Sequence, residues 1–425
     1  MASRGASAVG GLIACLVCFG LASEAFAAEM LTWDDCVQES NQHNPDLLAA
    51  QAVVREARAK YLGSYTAFLP QVSADVGVDR SGTKTASSSS TVMSNSVGLS
   101  ASETLFSGFG NEATVQQQHA GLQAAEAAFA QTKAQVGFDL KSAFAQLLFA
   151  QEQVALAEGI AARRQENVRL VDLRYQGGRE HQGSFLRSQA AAQQAVFDVA
   201  QAKRALQVAQ QQLAKVLGRR DAAELSIGGE LKPAAVSEPP DFSSLMAQTP
   251  AHRQADAQAR GARAGVTVAR SGFYPTVSAG GSLSRVGADW PPGDDKWLAG
   301  ITVSLPFFSR GQTFFNVQSA NAERDRTQAA LKSTDDQTVF TLKQAFAAYQ
   351  DAVGKVSVQE EFLHAAQVRE EIARSQYTTG LLSFQDWDLI EDDLITNQKA
   401  MLTSRRDAVT AEATWERTQG NGALP

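Results

Sequence analysis

Residues 111–176 read NEATVQQQHAGLQAAEAAFAQTKAQVGFDLKSAFAQLLFAQEQVALAEGIAARRQENVRLVDLRYQ. The stretch has no proline, and its only glycines are Gly121, Gly137 and Gly159. Ala, Gln, Glu, Leu, Lys and Arg dominate it, and all are good helix formers. At 1.5 Å rise per residue, a helix of this length spans roughly 100 Å. No globular core is that long. Apolar residues recur at spacings of three and four, as in Phe138, Leu140, Ala143, Phe144, Leu147 and Leu148. Many are small, and the opposite face is Gln and Ala rather than dense charge. The pattern predicts helices packed side by side in a wall, with two contact edges instead of one core face.

The same character returns over residues 312–378, with one glycine, Gly354, and Val339, Leu342, Phe346 and Tyr349 on one stripe. Other landmarks repeat in the same order. Asn44-Pro45 precedes Phe68-Leu69-Pro70 as Thr249-Pro250 precedes Phe273-Tyr274-Pro275. Leu105-Phe106-Ser107-Gly108-Phe109-Gly110 answers Pro306-Phe307-Phe308-Ser309-Arg310-Gly311, and Arg174-Tyr175-Gln176-Gly177-Gly178 answers Gln376-Tyr377-Thr378-Thr379-Gly380. Ordered landmarks at a constant offset indicate two structural repeats. The expected organisation is a first repeat over 28–218, a polar, proline-containing join over 219–240, and a second repeat over 241–425. Each repeat holds a helix, two strands (within 70–108 and 275–308), a long helix (111–176 and 312–378) and a return helix (184–217 and 384–418).

Between the first helix and the long helix of each repeat, residues alternate. Val72, Ala74, Val76 and Val78 alternate with polar residues and Gly, as do Val97, Leu99 and Ala101. Val277, Ala279 and Leu283, then Trp297, Ala299, Ile301, Val303 and Leu305, do the same in the second half. Strands with two unlike faces suit a soluble sandwich or a barrel with lipid outside and water inside. Strands of about 10–12 residues match tilted membrane strands. Tyr65, Phe68, Phe106, Phe273, Tyr274, Trp297, Phe307 and Phe308 gather at their ends like an interfacial girdle. Residues 81–96 and 290–296 read as exposed loops.

Charge and composition narrow the function classes. Lys and Arg number 38 against 45 Asp and Glu, a net charge of −7 with the signs interspersed, which excludes a generic nucleic-acid binder. No run of about 20 apolar residues lies outside the N-terminus, so no membrane-spanning helix is expected. His43, His119, His181, His252 and His364 are scattered without metal-ligand spacing, and no glycine loop for nucleotide phosphates is present. No cofactor or metal is expected. No Ser/His/Asp or paired-carboxylate constellation marks an enzyme. Residues 1–27 read as a signal peptide: Arg4, a short apolar stretch, then Ala25-Phe26-Ala27 before Ala28. Leu12-Ile13-Ala14-Cys15 also has the shape of a lipobox. On either reading the chain is exported. Export and the length of the helices favour the bilayer barrel over the sandwich. Four strands cannot close a barrel with a lumen, and open edges in lipid are costly, so such a chain must oligomerise. The alternative is an exported, soluble coiled-coil scaffold.

Leu31-Thr32-Trp33, Asn44-Pro45, Phe68-Leu69-Pro70, Leu105-Phe106-Ser107-Gly108, Tyr175 to Gly178 and Leu213 to Gly218, with their second-half counterparts, resemble the outer-membrane efflux protein family, the TolC-like proteins. The resemblance covers nearly the whole chain after residue 27. It implies an α+β membrane protein: a homotrimer whose twelve-stranded transmembrane β-barrel, four strands per chain, continues into a long periplasmic α-helical barrel. It also implies an equatorial collar from the 219–240 join and the chain ends. The implied function is a passive exit duct in the bacterial outer membrane. Its implied partners are a periplasmic adaptor protein and an inner-membrane transporter, in a tripartite efflux or type I secretion system for drugs, metals or proteins.

The resemblance also places a site. The turns carrying Gly177 and Gly178, and Thr379 and Gly380, would form the adaptor-contacting tip. Locally, Gly178 and Gly380 read as helix C-caps. Relatives ring the entrance with acidic residues just after the second turn; Asp386 falls on such a position and Asp388 lies nearby. Ser383 and Asp386 have the spacing of a capping box, a compatible second role. Relatives latch the closed tip with a tyrosine, an arginine and an aspartate. Tyr377 matches the first, whereas Leu382 and Ser184 occupy the other two positions. The ionic part of the latch is thus absent or rebuilt, with Arg179, Glu180 and Arg187 as the available charges.

Overall fold

The computed structural model describes residues 30–220, 225–235, 238–422 and 424. The signal-peptide reading of 1–27 and Cys15 lies outside the described residues, as do 221–224 and 236–237 of the expected join. A short strand β1 (Met30–Leu31) leads into α1 (Trp33–His43) and α2 (Pro45–Ser64). A 3-10 turn (Tyr65–Phe68) precedes β2 (Gln71–Lys84) and β3 (Ser89–Phe106), then α3 (Gly110–Gln176) and α4 (Gln182–Leu217). After β4 (Ser226–Ile227) and α5 (Phe242–Gln248) the order recurs: α6 (Pro250–Ser271), β5 (Thr276–Gly287), β6 (Asp294–Ser304), α7 (Gln312–Thr379) and α8 (Phe384–Gln419).

The 67 residues of α3 and 68 of α7 make rods of about 100 Å. Their packing is written in small residues at heptad spacing. On α3 the buried positions run Ala113, Ala120, Ala127, Ala134, and then Ala143, Ala150, Ala157, Arg164, Val171. On α8 they run Trp387, Leu394, Met401, Ala408, Trp415. A seven-residue repeat keeps one seam facing its neighbour along the whole rod. The rod α3 packs against α2 and α6 toward the sheet and against α4 and α8 toward the far end, while α7 packs against α6 and α8.

The short helices stack end to end on the return helices. Asn44, at the head of α2, donates its Nδ2 to the Val216 carbonyl near the end of α4 at 2.8 Å. Gly420, which ends α8 at φ +78°, lies so close to Pro250 that an added Cβ would meet the proline Cδ at 2.1 Å. Only glycine allows α6 to sit on the end of α8 there. Each repeat is thereby two columns wide along its full length. The main apolar cluster lies at mid-length, where Cys36, Leu47, Leu140, Leu147, Leu213, Leu217 and Ile227 meet. Burial, with Glu39 and Asp35 nearby, pushes the Cys36 thiol up to about 11, so it is an inert core residue.

The four long strands form one antiparallel sheet in the order β2-β3-β5-β6. Pairing of β3 with β5 joins the two halves of the chain. Cross-strand partners share a face: Ala74, Leu99, Leu283 and Trp297 form one row, and Ala279 with Ile301 another. Ser73, Ser100 and Ser282 form a row on the opposite face. On the apolar face Val76 is 69%, Ile301 70% and Trp297 78% exposed, so none of the described residues covers it. The strand edges of β2 and β6 have no partner among the described residues.

One expectation is corrected here. Residues 81–96 are not a loop: β2 and β3 stay paired out to Lys84 and Ser89, leaving Thr85–Ser88 as the turn. Thr, Val and Ser in this stretch favour an extended ribbon more than the Ser-rich composition suggests. The strands of this hairpin, at 14 and 18 residues, are accordingly longer than the 10–12 expected. The second turn is also shorter, because β6 begins at Asp294.

Candidate functional site

At the end of the rods away from the sheet, α3 turns into α4 and α7 into α8. Both turns use the same device. Gly178 (φ +69°) donates its N–H to the Tyr175 carbonyl at 3.0 Å, and Arg179 to that of Arg174 at 2.8 Å. Gly380 (φ +84°) donates to Tyr377 at 3.0 Å, and Leu381 to Gln376 at 2.8 Å. These are paired Schellman bonds, which satisfy the last carbonyls and need a left-handed residue. Gly177 caps α3, and the Thr379 hydroxyl bonds back to Ser375 and Gln376. The next helices open on side-chain caps: the Ser184 N–H donates to His181 Nδ1 at 3.2 Å, and the Asp386 N–H to Ser383 Oγ at 3.2 Å.

Tyr377 is fully buried between the two turns. Its ring stacks on Trp387 with centroids 4.4 Å apart, and the Arg174 guanidinium sits 4.5 Å from the ring centroid. The Tyr377 hydroxyl donates to Glu180 Oε2 at 3.2 Å, and Arg174 also donates to the Tyr377 carbonyl. Burial, and then the Glu180 charge, push the phenol well above its usual range. The tyrosine therefore stays neutral and keeps its donor. Arg174 and Glu180 belong to the first hairpin and Tyr377 to the second, so this cluster ties the hairpins together.

A second tie lies beside it. Asp388 of α8 receives Arg164 Nη1 from α3 at 3.0 Å and Arg187 Nε from α4 at 3.1 Å. Arg164 also reaches Asp392. The Arg164 side chain is 7% exposed and Asp388 12%. Charge-assisted bonds of this kind, sheltered from water, are stronger than surface pairs.

Among the residues singled out in the sequence, Tyr377, Gly178, Gly380, Gly177 and Thr379 gather at the two turns. Ser184 is 2% exposed, and its hydroxyl lies 3.2 Å from the His181 ring, a bond within its own turn. Asp386 is exposed and accepts the Ser383 hydroxyl at 2.7 Å. Asp388 does not join it as an open carboxylate, because two arginines hold it within the chain. Of the available charges, Glu180 partners the tyrosine and Arg187 partners Asp388, while Arg179 lines the groove between the turns. Sequence reading missed Arg164, Arg174 and Trp387. Arg164 had a signal: it is the one charge in a seam otherwise made of Ala and Val.

The comparisons agree with this architecture. A family model described as outer membrane efflux protein matches residues 36–219 and 242–421. The solvent efflux pump outer membrane protein SrpC of Pseudomonas putida is 26% identical over 250 residues, 57% of this chain and 52% of that protein. The match thus spans about half the length of that relative. The pyoverdine export outer membrane protein OpmQ of Pseudomonas aeruginosa is 27% identical over 392 residues, covering 84% of this chain and 78% of that one. The crystal structure of CusC has the same fold, with a TM-score of 0.84 at 20% identity and 92% of each chain covered. The chain belongs to the outer membrane efflux protein family, has the TolC-like fold, and resides in the bacterial outer membrane with a large periplasmic portion.

Proposed function

We propose that three copies of this chain assemble into a passive exit duct, with a twelve-stranded barrel in the outer membrane and a helical tube below it. The observation that carries this reading is the four-stranded sheet. It exposes a continuous apolar face, including Val76, Trp297 and Ile301, and leaves the edges of β2 and β6 unpaired among the described residues. In lipid the face is satisfied by hydrocarbon and the edges only by another copy. Three copies bring the strand number above the eight of the smallest lumen-bearing barrels.

The tip turns are then the far end of the duct, where a periplasmic adaptor docks and couples it to an inner-membrane transporter. Tyr377 and Asp388, each bonded across the two hairpins, hold that end closed. Asp386, exposed and repeated around the axis, lines the entrance with carboxylates. The duct performs no chemistry, and its cargo is set by the transporter. The names of its relatives, one the outer membrane protein of a solvent efflux pump and one of pyoverdine export, fit a duct that is tolerant of cargo. The test is extraction from the outer membrane in mild detergent followed by mass measurement of the particle. A three-chain particle supports the reading, and a stable monomer in detergent-free buffer contradicts it, favouring a soluble scaffold instead.

A further inference from the structure

One buried acid at the tip is used by neither tie. Glu391 lies on α8 four residues after Trp387, at a core position of the heptad, and is 1% exposed. Its Oε1 stands 3.3 Å from Arg163 Nε of α3, yet the alignment makes no hydrogen bond, and both atoms are without a partner. Arg163 is committed instead to Gln398 through Nη2 at 3.0 Å. On its other side Glu391 meets the half-buried Glu370 of α7, carboxyl against carboxyl, within hydrogen-bonding reach. The remaining charges around it are Arg164 of α3, and Asp388 and Asp392 of its own helix with their partner Arg187 of α4.

An ionised Glu391 would be a buried anion facing a second anion, with Arg163 poorly aligned to it and Arg164 already committed to Asp388 and Asp392. A protonated Glu391 can donate to Glu370, and that bond joins α8 to α7 in the water-poor interior. We propose that Glu391 and Glu370 form a proton-sharing carboxyl pair that locks the tip closed in acid and loosens it as pH rises. The lock rests on the duct reading above and adds to it a regulation of the same gate.

Burial above all, and then Glu370 against the opposing Arg163 and Arg164, hold the Glu391 carboxyl above its usual range. Opening the tip returns it to water and lowers it again. A group whose pKa is higher in the closed state stabilises that state at low pH, and the stabilisation is lost as pH rises through the closed-state value. Each unit of difference between closed and open changes the closed-to-open ratio tenfold.

The experiment records leak conductance of the purified oligomer in planar bilayers from about pH 5 to about pH 8. The wild type should leak more as pH rises. Glu391→Gln keeps a donor toward Glu370 and cannot ionise, so it should stay at the wild type's acid level throughout. Glu370→Gln removes the opposing charge, so its transition should move to lower pH. An unchanged pH profile in Glu391→Gln overturns the proposal. Independently of conduction, the infrared difference spectrum of wild type against Glu391→Gln in detergent should show a protonated carboxyl band persisting above the ordinary glutamate range. Absence of that band overturns the pair itself. A band without any conductance would refute the duct reading, and with it the lock.

Discussion

Arg164 of α3 and Asp388 of α8 form an ion pair of 3.0 Å whose side chains are 7% and 12% exposed, 224 residues apart in sequence. It bridges the two hairpins at the end remote from the sheet. Asp388 is shared with Arg187, so a cation from each helix of the first hairpin grips one carboxylate of the second. Removing one partner of a sheltered pair costs up to about 3 kcal/mol, and less where a second cation remains, as Arg187 does for Asp388. Arg164→Ala should therefore loosen α8 near its start, read as faster amide exchange over residues 384–392 with the sheet unaffected. Lysine should rescue poorly, because a single ammonium cannot reproduce the fork to both Asp388 and Asp392.

The junction of Gly420 with Pro250 makes a different prediction. A Cβ there would meet the proline ring at 2.1 Å, and φ is +78°. Gly420→Ala should separate α6 from the end of α8 and lower thermal stability by several degrees, the signature of a loss of 1–3 kcal/mol or about that size. Gly159→Ala, inside α3 with open space around its Cα, should be neutral or slightly stabilising. Melting of both variants in the same detergent checks the contrast.

The sheet should divide lipid from water at single-residue resolution. Ile301 pairs with Ala279 on the apolar face, and Thr302 pairs with Ser278 on the other. Arg at Ile301 should cost roughly 2–4 kcal/mol if it lies near the midplane, while Arg at Thr302 should be tolerated. Cysteines at the two positions, probed with a water-soluble thiol reagent, should label at 302 and resist at 301. Equal labelling would remove the barrel.

The tip turns should matter for export and not for insertion. Gly380 is at φ +84°, and a Cβ added there would meet the Arg174 Nη2 at an ordinary 3.7 Å. Gly380→Val should strain the cap by about 1 kcal/mol or more. The barrel end, about 100 Å away, should still assemble. Oligomer yield and cargo export from the same cells separate the two effects; full export by normally inserted Gly380→Val would move docking away from this turn.

How much of this was legible in the sequence follows from what is local. A 100 Å helix is written locally, in the absence of proline between residues 111 and 176 and in the alanines seven apart. The two-faced strands are equally local, since Val72, Val76 and Ile301 alternate with polar neighbours. The family was legible because its landmarks recur in order in both halves. The Tyr377 cluster was legible only in part: the resemblance supplied Tyr377 and left Glu180 as an available charge, but not Arg174 or Trp387. Arg174 is 203 residues away, and nothing near Tyr377 announces it. Arg164 did leave a trace, as a charge on a seam that otherwise holds Ala and Val, whereas Glu391 shares its seven-residue column with Gln398, Arg405 and Glu412 and leaves none. Asp388 reads only as an acid near the entrance ring, because its arginine partners lie on the other hairpin. The 81–96 segment misled for another reason: serine reads as loop, while cross-strand pairing stabilises it as strand.

The central claim is a duct closed at its tip by bonds between hairpins, and single-channel recording addresses it most directly. Purified oligomer in a planar bilayer should insert and conduct weakly. The double variant Arg164→Ala with Arg187→Ala, which leaves Asp388 without either arginine, should insert equally well and conduct several-fold more. Discrete insertion steps that grow in the variant are the predicted result. No conductance from either protein, or identical conductance from both, would contradict it.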